Sequence, residues 1–308
     1  MAGSIPASAT SSRPAAPTLE PAPERAGALA EAAGVWRRFR RNPGGMAGAV
    51  IVLLCVVVAL LAPLLAPYPP DEQHRNWRLF APNEYFLLGT DEFGRDLLSR
   101  IIYGSRISLQ VGLISVSFAL VVGAVLGLAA GFYGGWLDNL VMRCMDVLFA
   151  FPAILLAIGI MAMLGPSITN AMIAIGIVYA PSFARLARAA TLSLREMEFV
   201  QAARVLGTSD MRILVRHIVP NLLAPMVVQI TFSLSTAILT EAALSFLGLG
   251  TPPPEPSWGT MLSASRRYVE LSPWPAIFPG IAIMLVVLGF NLFGDGLRDV
   301  LDPRLRNA

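Results

Sequence analysis

Residues 199–221 read FVQAARVLGTSDMRILVRHIVPN. The stretch interrupts a chain that is otherwise strongly apolar, and each of its halves carries a helical period. Phe199, Ala202, Ala203 and Leu206 fall at i, i+3, i+4 and i+7, as do Met211, Leu214, Val215 and Ile218. Each half therefore has one apolar stripe. Gly207 lies between them and is free to take a positive φ. Thr208 or Ser209 is placed to cap the second helix. Arg212 and Arg216 share a face at i, i+4, and Pro220 limits this helix before the next apolar run. The spacing predicts a helix–turn–helix too short to bury itself.

The surroundings say where such a hairpin sits. The chain has 308 residues, 55% hydrophobic and 14% charged, with a mean hydropathy of +0.64. That profile belongs to a polytopic membrane protein. The formal net charge is +3, and the charges fall in blocks between apolar runs, as in sided loops. A nucleic-acid-binding role is disfavoured, because spans tether the hairpin on both sides. An amphipathic hairpin lying on anionic lipid is the competing reading of the pattern.

All 23 basic residues are arginine. A P-loop requires a lysine on the phosphates, so any ATP chemistry must come from another chain. Cys55 and Cys144 form no C-x-x-C, and His74 and His217 are far apart in sequence. Neither a disulfide framework nor a metal site is expected, and no cofactor or catalytic residue is assigned.

Six spans are expected, at about 46–66, 107–131, 143–164, 168–187, 222–248 and 274–294, each uncharged or nearly so and matched to a bilayer core that needs about 20 helical residues. LGPS at 164–167 separates the third from the fourth. Residues 1–44 read as a disordered tail, rich in Ala, Pro and Ser up to residue 34, plus a basic flank, WRRFRR. Residues 45–308 form the membrane domain. Residues 68–100 carry six acids against four arginines, which suits an outside loop. The basic flank, 185–217 and the C-terminus then lie in the cytoplasm, with both termini inside. Arg266 and Arg267, outside, depart from this rule.

Several charged residues have two readings each. Glu241 sits within an apolar run, where an acid costs about 2.5–3.5 kcal/mol. It either meets solute on a translocation path or anchors a neighbouring helix. Asp91, Arg95 and Asp96 precede the second span as a contact for an external protein or as a capped, solvated helix start. Arg143 and Asp146, at i, i+3, read as a local pair. TPPPEP (251–256) reads as stiff and extended.

QAARVLGTSDMRILVRHIVPN (201–221) resembles the EAA motif of ABC-importer permeases, in which E-A-A is followed by three residues, Gly, nine residues and I-x-L-P. Gln201, Ala202, Ala203, Gly207 and Pro220 match the spacing, and Gln201 replaces the usual glutamate. LGTDEFGRDLLSRIIYGSRISL (88–109), GFYGGWLDNLVMRCMDVLFAFP (131–152) and EAALSFLGLGTPPPEPSWGTML (241–262) resemble the second, C-type permease of dipeptide/oligopeptide/nickel importers. The likeness spans roughly residues 36–308. It implies an all-α, six-span bacterial plasma-membrane protein of the type I importer fold, non-catalytic itself. It implies a second permease subunit, two ATP-binding subunits and an extracytoplasmic binding protein as partners, besides lipid. Gln201, Ala202, Ala203, Gly207, Arg212, Arg216 and Pro220 would carry coupling to the ATPase. Dipeptides, longer peptides, nickel chelates and glutathione all fit the branch. The rivals are a secondary transporter or channel subunit, for which Glu241 is the sole intramembrane acid, and a membrane enzyme, for which no H-E-x-x-H or G-x-S-x-G is present.

Overall fold

A computed structural model of the chain describes residues 34–250, 252 and 254–301, and among these residues the fold is all-α. Nearly all of the tail expected at 1–34, and two residues of the TPPPEP loop, lie outside the described residues. A short helix at 34–39 leads into α1 (Pro43–Leu60), capped by Asn42, whose side chain accepts the Gly45 N–H at 2.9 Å. The single turn α2 (Ala62–Leu65) and a long irregular loop follow. Then come α3 (Leu97–Tyr133), α4 (Gly135–Phe149), α5 (Ala153–Leu164) and α6 (Ile168–Arg195). The hairpin is α7 (Glu198–Val205), α8 (Asp210–Ile213) and a π-helical turn, Leu214–Ile218. The chain closes with α9 (Val219–Phe246), α10 (Trp258–Ser265) and α11 (Trp274–Leu301).

Among the described residues, five helical stretches are long and apolar enough to cross a bilayer: Pro43–Leu60, Leu97–Tyr133, Ile168–Arg195, Asp210–Phe246 and Trp274–Leu301. The sixth exists only if α4 and α5 are taken together, and they meet at 93°. The straight run expected at 143–164 therefore crosses a sharp bend. Pro152 is the cause: it has no N–H for the ladder and pushes Phe151 out of the helical region. The break at LGPS falls where expected. Gly165 caps α5 at φ 87°, and Ser167 caps α6 by accepting the Asn170 N–H at 3.1 Å.

Pro220 does not end the second half of the hairpin. The helix continues through it into α9. A proline ring clashes with the carbonyl four residues back and lacks the N–H that would bond it. Widening the preceding turn to the π form removes both problems, and the Val219 N–H bonds the Leu214 carbonyl.

The core is built on close helix crossings. Along α3, Gly123, Gly127 and Gly131 recur every fourth residue against α6. A Cβ on Gly131 would come within 2.9 Å of the Arg188 carbonyl oxygen, and one on Gly127 would run into that of Ala184. Around this crossing Val111, Val116, Met161, Ile175, Phe183 and Leu244 are buried. α1 packs on α11 in the same way, with Gly48 seated over Gly289.

Candidate functional site

The side chains that anchor the hairpin overlap only in part with the stripe expected from periodicity: Ile218, Leu214 and Ala203 belong to both. Val200, Ile213 and Ile218 are fully buried, packed with Phe132 at the end of α3 and with Leu128, Leu194, Ala203 and Leu214. The Arg204 guanidinium lies 5.5 Å over the Phe132 ring. Of the expected stripe, Leu206 is 84% exposed, Met211 67%, Val215 60% and Phe199 42%. The short helices are apolar on two faces: one docks on α3, and the other points away from the chain.

The turn has a specific geometry. Gly207 has φ 75°. The Thr208 N–H bonds the Ala203 carbonyl at 3.1 Å, and the Gly207 N–H bonds that of Arg204 at 3.0 Å. This pair of bonds is the Schellman arrangement, which requires a left-handed residue after the helix. Ser209 occupies the N-cap position of α8, but its side chain makes no capping bond. Gln201 donates its amide N–H to the Glu196 carbonyl at 3.1 Å, at the end of α6. Gln201, Ala202, Gly207, Arg212, Arg216 and Pro220 are exposed, and Ala203 is half-buried.

Glu241 lies far along α9 and is 1% exposed. Its carboxylate accepts from Ser245 Oγ at 2.7 Å and Ser108 Oγ at 3.2 Å. The acid thus joins α3 to α9, as an anchor does. Trp258, missed by sequence reasoning, is the neighbouring fixture. Its indole donates to the Ile101 carbonyl at 3.0 Å, and its ring lies on Gly104. Only the proximity of two distant motifs could have flagged it.

The outer loop buries two of its six acids. Asp91 and Asp96 are 4% and 2% exposed; of the two readings given for them, the helix start is capped but these acids are not solvated. Asp96 caps α3, accepting the Ser99 N–H at 2.8 Å. Asp91 accepts the backbone N–H groups of Phe93 and Arg95 at 2.9 Å each, and Arg95 Nε at 2.6 Å. Arg100 approaches Asp91 at 3.5 Å and donates to the Pro70 carbonyl at 3.0 Å. Burial, and then the adjacent Asp91 charge, push the Glu92 carboxyl above its ordinary range. A second correction concerns Asp146. Its partner is Arg185 of α6 at 2.8 Å, in place of the neighbouring Arg143, because α4 packs directly on α6.

The sequence matches the family of binding-protein-dependent transport system inner membrane components over residues 123–307. The N-terminal transmembrane domain of oligopeptide transport permease C matches over 32–82. The chain belongs to this permease family.

Relatives of the permease include the dipeptide transport system permease protein DppC of Alkalihalophilus pseudofirmus, 50% identical over 88% of this chain and 90% of that one. The di/tripeptide permease DppC of Pseudomonas aeruginosa is 49% identical over 89% and 92%. The glutathione permease GsiD of Escherichia coli is 47% identical over 88% and 90%. Among solved structures, the inward-facing MetNI methionine ABC transporter superposes with a TM-score of 0.53, at 19% identity, over 66% of this chain and 97% of that one. The fold is therefore that of a type I ABC-importer permease. Several apolar spans and this membership make it a multi-pass inner-membrane protein.

Proposed function

We propose that the permease is the non-catalytic, driven subunit of an ATP-dependent importer of small peptides. It lines the translocation path together with a second permease subunit. Two ATP-binding subunits and an extracytoplasmic binding protein complete the transporter. The relatives named for dipeptides, tripeptides and glutathione support the substrate class. The arginine distribution supports a cytoplasmic basic flank, hairpin and C-terminus.

The observation that carries this reading is the outward apolar face of the hairpin. Leu206, Met211 and Val215 are exposed while Val200, Ile213 and Ile218 are locked onto α3. Exposed apolar side chains on an anchored protrusion mark a protein- or membrane-contact surface, and the EAA-like spacing of this hairpin favours a protein partner. The small Ala202 lets a partner approach closely, and Arg212 and Arg216 supply its charged rim. At the opposite end, the cluster of buried Asp91 and Asp96 with the partly buried Arg95 shapes the outer loop. The exposed Asp71, Glu72, Arg75 and Glu255 around it offer the contacts to the binding protein.

The test has two parts. In the assembled transporter, cysteines at 206 and 211 should cross-link to an ATP-binding subunit. Labelling of these cysteines by an impermeant reagent from outside the cell would refute the topology. In proteoliposomes with the binding protein, a dipeptide should enter only with ATP. Entry at the same rate without ATP would favour a secondary transporter.

A further inference from the structure

α4 is a 15-residue helix with a joint at each end. At its start, Gly134 and Gly135 have φ 66° and 61°, positive values that side chains disfavour. After it, the chain turns through 93° into α5. One face of α4 presents Trp136, Leu140 and Val147, which are 74%, 51% and 61% exposed. The other face packs Val141 and Met145 against Ala130 and Ala184.

Arginines of α6 grip this segment. Arg188 donates from Nε and Nη2 to the two oxygens of Asp138, at 2.5 and 2.6 Å. Arg195 donates to the Gly131 carbonyl at 2.9 Å, just ahead of the glycine joint. Arg185 bonds Asp146 and lies 4.1 Å over the Phe149 ring. That last ion pair is about half exposed on both sides, 49% and 55%, so water screens it. The Arg188–Asp138 fork differs. Two parallel bonds between planar groups fix both separation and orientation, and the pair is better shielded, with Asp138 15% and Arg188 34% exposed. Beyond Arg195, Glu196 and Met197 alone separate α6 from the hairpin.

We propose that the Asp138–Arg188 pair is a positioning contact that makes α4 follow the coupling hairpin, turning on its glycine joint as α6 is displaced. This rests on the reading of the chain as a driven permease. A helix hinged at both ends, with one face exposed, has no reason to move with α6 unless something fixes it there. Apolar packing against Ala130 and Ala184 permits sliding, whereas a two-bond fork at the joint does not. Displacement of the hairpin then reaches α5 through α4 without any change within either helix.

The experiment uses the complete transporter in proteoliposomes with its binding protein and a dipeptide. Peptide imported per ATP hydrolysed is measured, together with subunit co-purification. The variants are Asp138→Asn, Asp138→Arg, Arg188→Asp and the swap Asp138→Arg/Arg188→Asp. Asp138→Asn and Asp138→Arg should assemble and hydrolyse ATP, but import at least about fivefold less peptide per ATP, the lower end of coupling between sites. The swap should recover most of that ratio. An unchanged ratio in the single variants would overturn the proposal. So would a swap no better than its parents, or a parallel loss of assembly, hydrolysis and uptake, which is the mark of a structural pair. A native transporter that shows no ATP-driven uptake would count against the transport reading instead.

Discussion

Gly207 allows backbone strain to be tested with packing left out. Its φ is 75°, and a Cβ added there would meet nothing within 4 Å. An L-residue held in the left-handed region costs about 1–2 kcal/mol, with Asn the best tolerated and β-branched residues the worst. Against that cost stand three fully buried anchors, Val200, Ile213 and Ile218. At about 1.5–3 kcal/mol each they contribute roughly 4.5–9 kcal/mol. The hairpin therefore stays docked in every variant, and the strain appears as more frequent local opening. Hydrogen exchange over residues 198–218, followed by mass spectrometry on the assembled transporter, reads that opening. Gly207→Ala should speed exchange about 5–30-fold, the equivalent of 1–2 kcal/mol. Gly207→Val should exceed it, and Gly207→Asn should fall below it, while peptides from α3 remain unchanged. Uptake per ATP should fall in the same order. Three variants with identical exchange would show that the turn does not hold a left-handed residue, and the coupling argument built on it would go too.

Other consequences can be measured. The permease pair purified without the ATP-binding subunits should release no phosphate from ATP above a detergent blank, since the chain has no lysine for a P-loop. Glu241→Ala should lower the thermal stability of the complex more than Glu241→Gln, because it strands the Ser108 and Ser245 hydroxyls, at about 1–3 kcal/mol for each buried group left unpaired. Glu92→Gln should stabilise the outer loop near neutral pH and do little in acid. Folding raises the Glu92 pKa, so its contribution is fully favourable below the unfolded value near 4.3 and is lost as pH rises through the folded one. A protease-protection series against pH reads this, and equal protection of variant and native loop at all pH values would contradict it.

The turn at Gly207 and the break at LGPS are legible in the sequence because glycine and proline act locally. The anchoring face of the hairpin is only partly legible: Ile218, Leu214 and Ala203 fall on the expected stripe, but Val200 and Ile213 do not. A period finds one apolar stripe per helix, but here a helix must dock and present at once. Val200 and Ile213 interleave with the exposed Leu206 and Met211, so no single period separates them. Pro220 misleads for a related reason: it forbids an ordinary α turn, yet one π turn lets the helix through. The 93° bend was signalled by Phe151–Pro152, but the uncharged run on both sides masked it. The burial of Asp91 and Asp96 depends on the outer loop folding back, with the His74 N–H bonded to the Gly94 carbonyl and the Leu79 N–H to that of Asp91. Contacts across such distances leave no mark on local composition. Asp146 likewise finds its arginine 39 residues away.

The helix from Asp210 runs unbroken to Phe246, 37 residues in all, or about 55 Å. It crosses α11 where Thr231 lies against Gly294, with no room there for a side chain. That crossing divides the beam into arms of roughly 32 and 22 Å. Tilted about 5° on this fulcrum, the hairpin end travels roughly 2.8 Å, and Glu241, about 15 Å along the short arm, moves roughly 1.3 Å the opposite way. A shift of that size exceeds the slack in the 3.2 Å bond from Ser108. Stiffness alone is then enough for a stroke at one end of the beam to unfasten the helix–helix joint at the other.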